Sequence, residues 1–346
     1  MIDLKRAVVS GLILALVVEI GCRKEAPKEP PRPDQTKQAE PAPATVPAGR
    51  AAGAKIKIAF SAPSADHGWT GAISVNAKKQ AAKYDDVEFS LTQAPTAADQ
   101  VSQLNTIMMQ KPDVLVILPQ DETVTPAALA AMKAGIQVIN VDREFSDPGA
   151  QRAVIKGDNY GVGFQAGQYF ASELKCKGNV VEIQGIAGIS VTNQRTKGFA
   201  DAIAPCKGGI KIIAQQPADF APDKGLSVMQ NILQAQPKID AVYTHDDDMA
   251  QGVVQAIKNA NRDKEMWLTG VGGSKAAMDQ IKLGGLYRAT FLYNPTMAAS
   301  AVALARLLAK GQGLSDLTEP VIPNLIVMQA QGVFKDNVDG YMQIGF

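Results

Sequence analysis

An α/β architecture of two similar lobes, each built on a parallel sheet, is what this sequence predicts, and three observations carry the expectation. Short, continuously apolar, β-branched runs alternate with amphipathic helical runs from Lys55 onward. The same rhythm restarts after VIKGDN (154–159). The chain has 346 residues and is 46% hydrophobic, whereas a single core stops growing near ~250–300 residues. Continuous apolar strands separated by helices are characteristic of sheets covered on both faces.

In the first unit, KIKIAFSAP (55–63) precedes a helix running to about Lys83, then VEFSLTQ (87–93) and a helix near 97–109. DVLVILP (113–119), a helix near 124–134 and QVINVD (137–142) follow. In the second, a helix near 160–174 leads to NVVEIQG (179–185), a helix near 192–204, IKIIAQQ (210–216) and a helix near 224–236. DAVYTH (240–245), a helix near 249–260, MWLTGVG (266–272), a helix near 275–283 and YRATFLY (287–293) continue it. A last helix near 296–310, followed by VIPNLIVM (321–328) and a short end, comes too late for the second lobe and is expected to complete the first, so the lobes are discontinuous and their connections form a hinge. The expected division is 55–159 plus 294–325 for the N-terminal lobe and 160–293 plus 326–346 for the C-terminal lobe.

Ahead of these lobes, Lys5 and Arg6 precede an apolar stretch from Ala7 to Val18 and then EIGC. This stretch of twelve residues, apolar but for Ser10, falls short of the ~20 needed to span a bilayer. Residues 1–22 resemble a lipoprotein signal peptide with Cys22 as the acylated residue. Glu19 stands where that motif normally carries an apolar residue, which leaves a non-lipidated export signal or an uncleaved anchor as alternatives. Residues 23–54 hold seven of the 20 prolines and hardly any large apolar residue. They read as a semi-extended tether that cannot bury enough surface to offset its ordering entropy. Export makes Cys176 and Cys206 disulfide candidates, with two separate buried thiols as the alternative.

A formal net charge of +1, without long runs of like charge, argues against nucleic acid as a partner. Ligands of open parallel sheets bind beyond the carboxyl ends of the strands. Those ends carry SADHGW (64–69), PQDE (119–122), DRE (142–144), GISVTNQR (188–195), DF (219–220), HDDD (245–248) and YNP (293–295). Carboxylates, guanidinium groups and aromatic faces together suit a polyhydroxylated ligand, because each hydroxyl donates and accepts while a sugar ring has an apolar face.

DREF (142–145), TNQRTKGF (192–199), PADFAPDKGLSVMQNIL (217–233) and DDDMAQGVVQAI (246–257) agree in order and spacing with the ribose-type periplasmic sugar-binding proteins, and the resemblance extends over 55–346. It implies a type I periplasmic-binding fold, two Rossmann-like lobes joined by hinge strands, closing on one monosaccharide or polyol for delivery to the permease and ATPase of an ABC importer. It also implies that Asp142, Arg143 and Arg195 bond sugar hydroxyls, that Phe220 stacks on one ring face, and that Trp69 or His67, with Asp66 beside them, serves the other. Asp246 takes a place where the ribose binders carry asparagine. Gly272 stands where an aspartate is common and Tyr293 where a glutamine is, so the pocket has lost a carboxylate and gained a phenol. A monomer, lipid-anchored in the periplasm or at the cell surface and without cofactor, is the resulting expectation; a sensor presenting its ligand to a membrane receptor is the alternative.

Blander readings compete at several positions. His67 suits a solvent-facing loop, Trp69 a core site at a helix start, and Asp142 with Arg143 a surface ion pair, since adjacent residues of an extended chain point oppositely. GVGG (270–273) lacks the G-x-G-x-x-G spacing and a Walker lysine, and the chain carries no G-x-S-x-G or metal-spaced histidines, which argues against an enzyme. In THDDDMA (244–250), three aspartates flank one of two histidines. A calcium site needs about 6–8 oxygens at alternate loop positions and a zinc site several nitrogen or sulfur ligands. The run is expected instead to place Asp246 in the cleft and Asp248 as the cap of a helix starting near Met249.

Overall fold

The computed structural model describes residues 54–64, 68–311 and 322–346. The expectations for Cys22, the signal peptide, nearly all of the tether, Asp66 and His67 lie outside these residues. The apolar runs become β1 (Ile56–Pro63), β2 (Val87–Ala94), β3 (Val114–Ile117), β4 (Gln137–Val141) and β5 (Ala153–Gly157), then β6 (Gly178–Gln184), β7 (Ile210–Pro217), β8 (Ala241–Thr244), β9 (Trp267–Gly272) and β10 (Tyr287–Leu292). Two short strands, β11 (Leu325–Met328) and β12 (Gly332–Phe334), close the chain. The first sheet has the order β11-β5-β4-β3-β1-β2 and is parallel throughout. The second, β12-β10-β9-β8-β6-β7, is parallel except for β12. β3 and β8, central in their sheets, are buried at every residue, which is why their sequences, VLVI and AVYT, show no alternation of polar and apolar residues.

The helices are α1 (Gly68–Ala81), α2 (Ala97–Met109), α3 (Thr125–Lys133), α4 (Asn159–Glu173), α5 (Ser190–Ile203), α6 (Pro222–Ala235), α7 (Asp247–Asn259), α8 (Lys275–Leu283) and α9 (Met297–Lys310). Short polar side chains start several of them: Thr96 accepts from Asp99 N at 3.1 Å and Ser274 from Ala277 N at 3.2 Å. α9 buries its Ala- and Leu-rich face against α1 and the first sheet, completing the first lobe although it follows the second in sequence. The chain therefore passes between the sheets three times, after β5, after β10 and after β11.

One boundary moves. Leu325–Met328 pairs with Val154–Gly157 of the first sheet, and Gly332–Phe334 with β10 of the second. The last crossing thus lies at 329–331, not at the expected boundary 325/326. A continuous edge strand holds the run in one sheet until its backbone partners end.

Two features of the second lobe bear on the site. α4 and α5 approach so closely that a Cβ at Gly163 would collide with the carbonyl of Arg195, and one at Gly198 with that of Tyr160. These glycines fix the height of α5, and of Arg195 on it, relative to the cleft. At the opposite end of the sheet, Cys176 and Cys206 precede the neighbouring strands β6 and β7 and are joined as a disulfide, with Cα atoms 5.0 Å apart. The bridge closes a loop of sequence separation 30, for which restriction of the unfolded chain amounts to ~3.6 kcal/mol. The double Cys→Ala variant should lose about that much stability in urea unfolding while keeping wild-type ligand affinity, since the bridge is remote from the cleft. A change in affinity comparable to the change in stability would contradict this separation.

Candidate functional site

The alternation of an extended strand ends at Asp142, where the backbone turns into the left-handed region with φ 67°. This turn brings two consecutive residues, Asp142 and Arg143, to the same cavity, so the objection that neighbours point oppositely does not apply. Arg143 is buried and donates to the carbonyls of Pro119 (3.3 Å) and Gln120 (2.7 Å), while Asn140 Nδ2 holds the Arg143 carbonyl at 2.8 Å. Its side chain is thereby presented from a rigid frame at the ends of β3 and β4.

From the second lobe come Arg195 on α5, Phe220 after β7 and Asp246 after β8. Asp219 and Phe220 are both left-handed, with φ 52° and 61°. That tight reversal lays the Phe220 ring on the backbone of Gly185, where a Cβ would collide with it. Arg195 is fully engaged on its inner side. Its Nε donates to Asn159 Oδ1 at 3.0 Å, its Nη1 donates to the His245 carbonyl, and its guanidinium lies 4.5 Å from the Tyr293 ring centroid and 5.9 Å from that of Phe220.

Tyr293, immediately after β10, links the two sets. Its hydroxyl donates to Asp142 Oδ1 and accepts from Asn159 Nδ2 at 3.0 Å, and its carbonyl accepts from Trp69 Nε1 at 2.8 Å. Burial, with the neighbouring Asp142, pushes the phenol well above its ordinary pKa, so it acts as a donor. Burial likewise pushes the Asp142 carboxyl up, with Arg143, the Tyr293 hydroxyl and Arg195 opposing it. Trp69 is both core and lining: it is 7% exposed, tilts on Tyr293 with ring centroids 5.7 Å apart, and borders the cavity. The cavity and its mouth hold about 350 Å³ of empty space, which includes open solvent.

Seven of the expected residues thus converge: Trp69, Asp142, Arg143, Arg195, Phe220, Asp246 and Tyr293 all border one cavity between the sheets. Sequence reasoning missed Asn159, which touches both Arg195 and Tyr293; its place directly after a strand end, in KGDN, was the available signal. It also missed the apolar lining by Val191 and Val271, which resemble core residues of their elements.

The three aspartates of THDDDMA diverge. Asp246 lines the cavity and also caps α7, its Oδ1 accepting from Met249 N at 2.8 Å. The cap is therefore Asp246 and not Asp248, because the helix begins at Asp247, two residues earlier than Met249. Asp247 points into the lobe, and Asp248 Oδ2 accepts from Trp69 N at 3.3 Å, at the start of α1 in the other lobe. His245 is buried against Glu182, 2.9 Å away, and burial pushes its imidazole pKa down despite that carboxylate. Among the described residues, no group of three or more His, Cys, Asp or Glu is arranged to hold a metal.

Polar contacts flank the cavity and join the lobes. Gln194 Nε2 donates to Glu144 Oε2 at 2.8 Å and Glu144 N to Ser190 Oγ at 3.2 Å on one side, while Asp248 meets α1 on the other. Neither Glu144 nor Asp248 borders the cavity. A net hydrogen bond is worth about 0.5–1.5 kcal/mol, so Glu144→Ala with Asp248→Ala should weaken ligand binding by about 5- to 100-fold through loss of the closed state alone. Calorimetric titration checks it; unchanged affinity in the double variant would show that these contacts do not hold the lobes together.

The periplasmic binding protein domain family model matches residues 58–313. The chain belongs to this family. Among relatives, the ribose import binding protein of Bacillus subtilis is 34% identical over 187 residues, 54% of this chain and 59% of that protein. That of Salmonella typhimurium is 31% identical over 277 residues, 80% of this chain and 92% of that protein. An ABC transporter solute-binding protein of Mycobacterium smegmatis, solved with bound glycerol, superposes with a TM-score of 0.76 at 30% identity, covering 84% of this chain and 98% of that one. Members of this family bind solutes; they are not enzymes, and family membership implies an extracytoplasmic location. Among the described residues, no helix is long and apolar enough to cross a membrane.

Proposed function

We propose that this protein captures a monosaccharide or related polyol between its lobes and delivers it to the permease and ATPase of an ABC importer. One observation carries the reading: carboxylate and guanidinium pairs from opposite lobes, Asp142 with Arg143 and Asp246 with Arg195, converge on one cavity beside the faces of Phe220 and Trp69. Charged groups that accept and donate at fixed positions match an array of hydroxyls, and aromatic faces match the C–H face of a ring. The relatives that bind ribose and the glycerol-bound neighbour support the same chemical class. Acylation at Cys22, with residues 23–54 as a tether, would hold a monomeric receptor at the membrane surface where its importer lies.

A thermal-shift screen over pentoses, hexoses and polyols tests the proposal. A true ligand at 100 times its dissociation constant stabilises the folded state by about 2.7 kcal/mol, a shift of several degrees, whereas the absence of any shift across the panel would refute it. Because the ligand touches both lobes, it selects the closed arrangement only through that double contact. Small-angle scattering should therefore give a smaller radius of gyration on saturation; superimposable curves would contradict closure.

A further inference from the structure

At the cleft edge of the second lobe, β8 leads into Asp246 and β10 into Tyr293, while β9, between them, ends in Val271 and Gly272. The central strand of that edge thus offers the cavity no polar side chain. The carboxylate nearest to it is turned inward: Asp247 accepts from Gly273 N and Ser274 N, each at 2.8 Å, from Tyr287 Oη at 2.7 Å and from Thr290 Oγ1 at 2.8 Å. Gly270 clears the space for this arrangement, since a Cβ there would collide with both Tyr287 and Asp247. The backbone is engaged as well, the Gly272 carbonyl accepting from Tyr293 N at 3.1 Å. Nor does Tyr293 compensate, because its hydroxyl is held between Asp142 and Asn159. Val191, packed with Phe220, adds a second apolar surface to the lining.

A hydroxyl directed at the end of β9 would surrender its water without gaining a protein partner, whereas a methyl or methylene group would gain contact. We propose that the preferred ligand is a deoxy monosaccharide, carrying hydrogen or methyl at the carbon that faces Val271 and Gly272. The inference rests on the reading of the cleft as a sugar site and narrows it to one substrate class.

Calorimetric titration with matched pairs tests it: D-galactose against D-fucose, L-galactose against L-fucose, L-mannose against L-rhamnose, and D-ribose against its 2-deoxy and 5-deoxy forms. At least one deoxy sugar should bind about tenfold or more tightly than its hydroxylated parent. Val271→Thr, close in shape but bearing a hydroxyl, should narrow that preference about tenfold or reverse it. If the variant fails to fold, the wild-type pairs still decide. Parents that bind as tightly as their deoxy partners would overturn this inference and leave sugar binding standing; an absence of binding by every sugar would overturn both.

Discussion

Arg195→Ala should weaken sugar binding by about 100-fold or more while the protein remains folded. Arg195 is 4% exposed and reaches the cavity already fixed by Asn159, the His245 carbonyl and the Tyr293 ring. A ligand hydroxyl placed against it forms a charge-assisted bond out of water, and truncating one partner of such a bond costs about 2–5 kcal/mol, or about 30- to several thousand-fold in affinity. The change also removes the second-lobe group that stacks on Tyr293, so closure loses a contact as well. Arg195→Lys should recover little, because a point-charge ammonium cannot bond Asn159 and His245 while remaining planar over the Tyr293 ring. Titration calorimetry with the sugar that most stabilises the wild type reads the effect, and circular dichroism verifies folding. Wild-type affinity in the alanine variant would remove Arg195 from the site.

Asp247→Ala should have the largest effect on stability, a loss of about 3–5 kcal/mol. The carboxylate is 1% exposed and serves two backbone amides at the start of α8 together with the hydroxyls of Tyr287 and Thr290. Removing it takes the acceptor from Ser274 N and from the buried hydroxyls of Tyr287 and Thr290, leaves Gly273 N with only Thr290 Oγ1 at 3.2 Å, and leaves a void between α7 and β9. Asp247→Asn should also be costly, since the amide sets donors against donors. Urea unfolding measures both variants; a loss below about 1 kcal/mol would mean that water replaces the carboxylate at little cost. By contrast, Asp246→Ala removes a helix cap worth about 1 kcal/mol and a cavity-lining carboxylate together, so its binding loss should exceed its stability loss.

These effects bear on how much of the molecule the amino-acid order makes legible. Strands such as VLVI and AVYT are buried at every position and almost wholly apolar because helices cover both faces of their sheets, and that marks them as central. Several polar residues of the cleft stand just beyond such strands because the topology places functional loops at that edge, so Asp142, Asp246 and Tyr293 were recognisable by position, whereas Arg195, inside α5, rested on the family resemblance. The fates of the three aspartates were not. All three are good helix caps, and which one caps depends on where the helix begins. Asp247 is drawn inward by Tyr287 and Thr290, some 40 residues later, and a partnership over that distance has no local signature. Asn159 was hidden similarly, because its role depends on Tyr293 and Arg195 meeting from separate segments. β12 escaped notice because three residues, GVF, carry no readable periodicity; its pairing with β10 fixes it. The crossing at 329–331 was displaced for the same reason.

The most direct test of the central claim, that two lobes close on a sugar at this cavity, is a crystal structure with the sugar giving the largest thermal shift. It should show the ring against the face of Phe220, with hydroxyls bonded to Asp142, Arg143, Arg195 and Asp246 and a carbon free of hydroxyl against Val271. A sugar bound elsewhere, or bound to one lobe with the cleft open, would contradict the account.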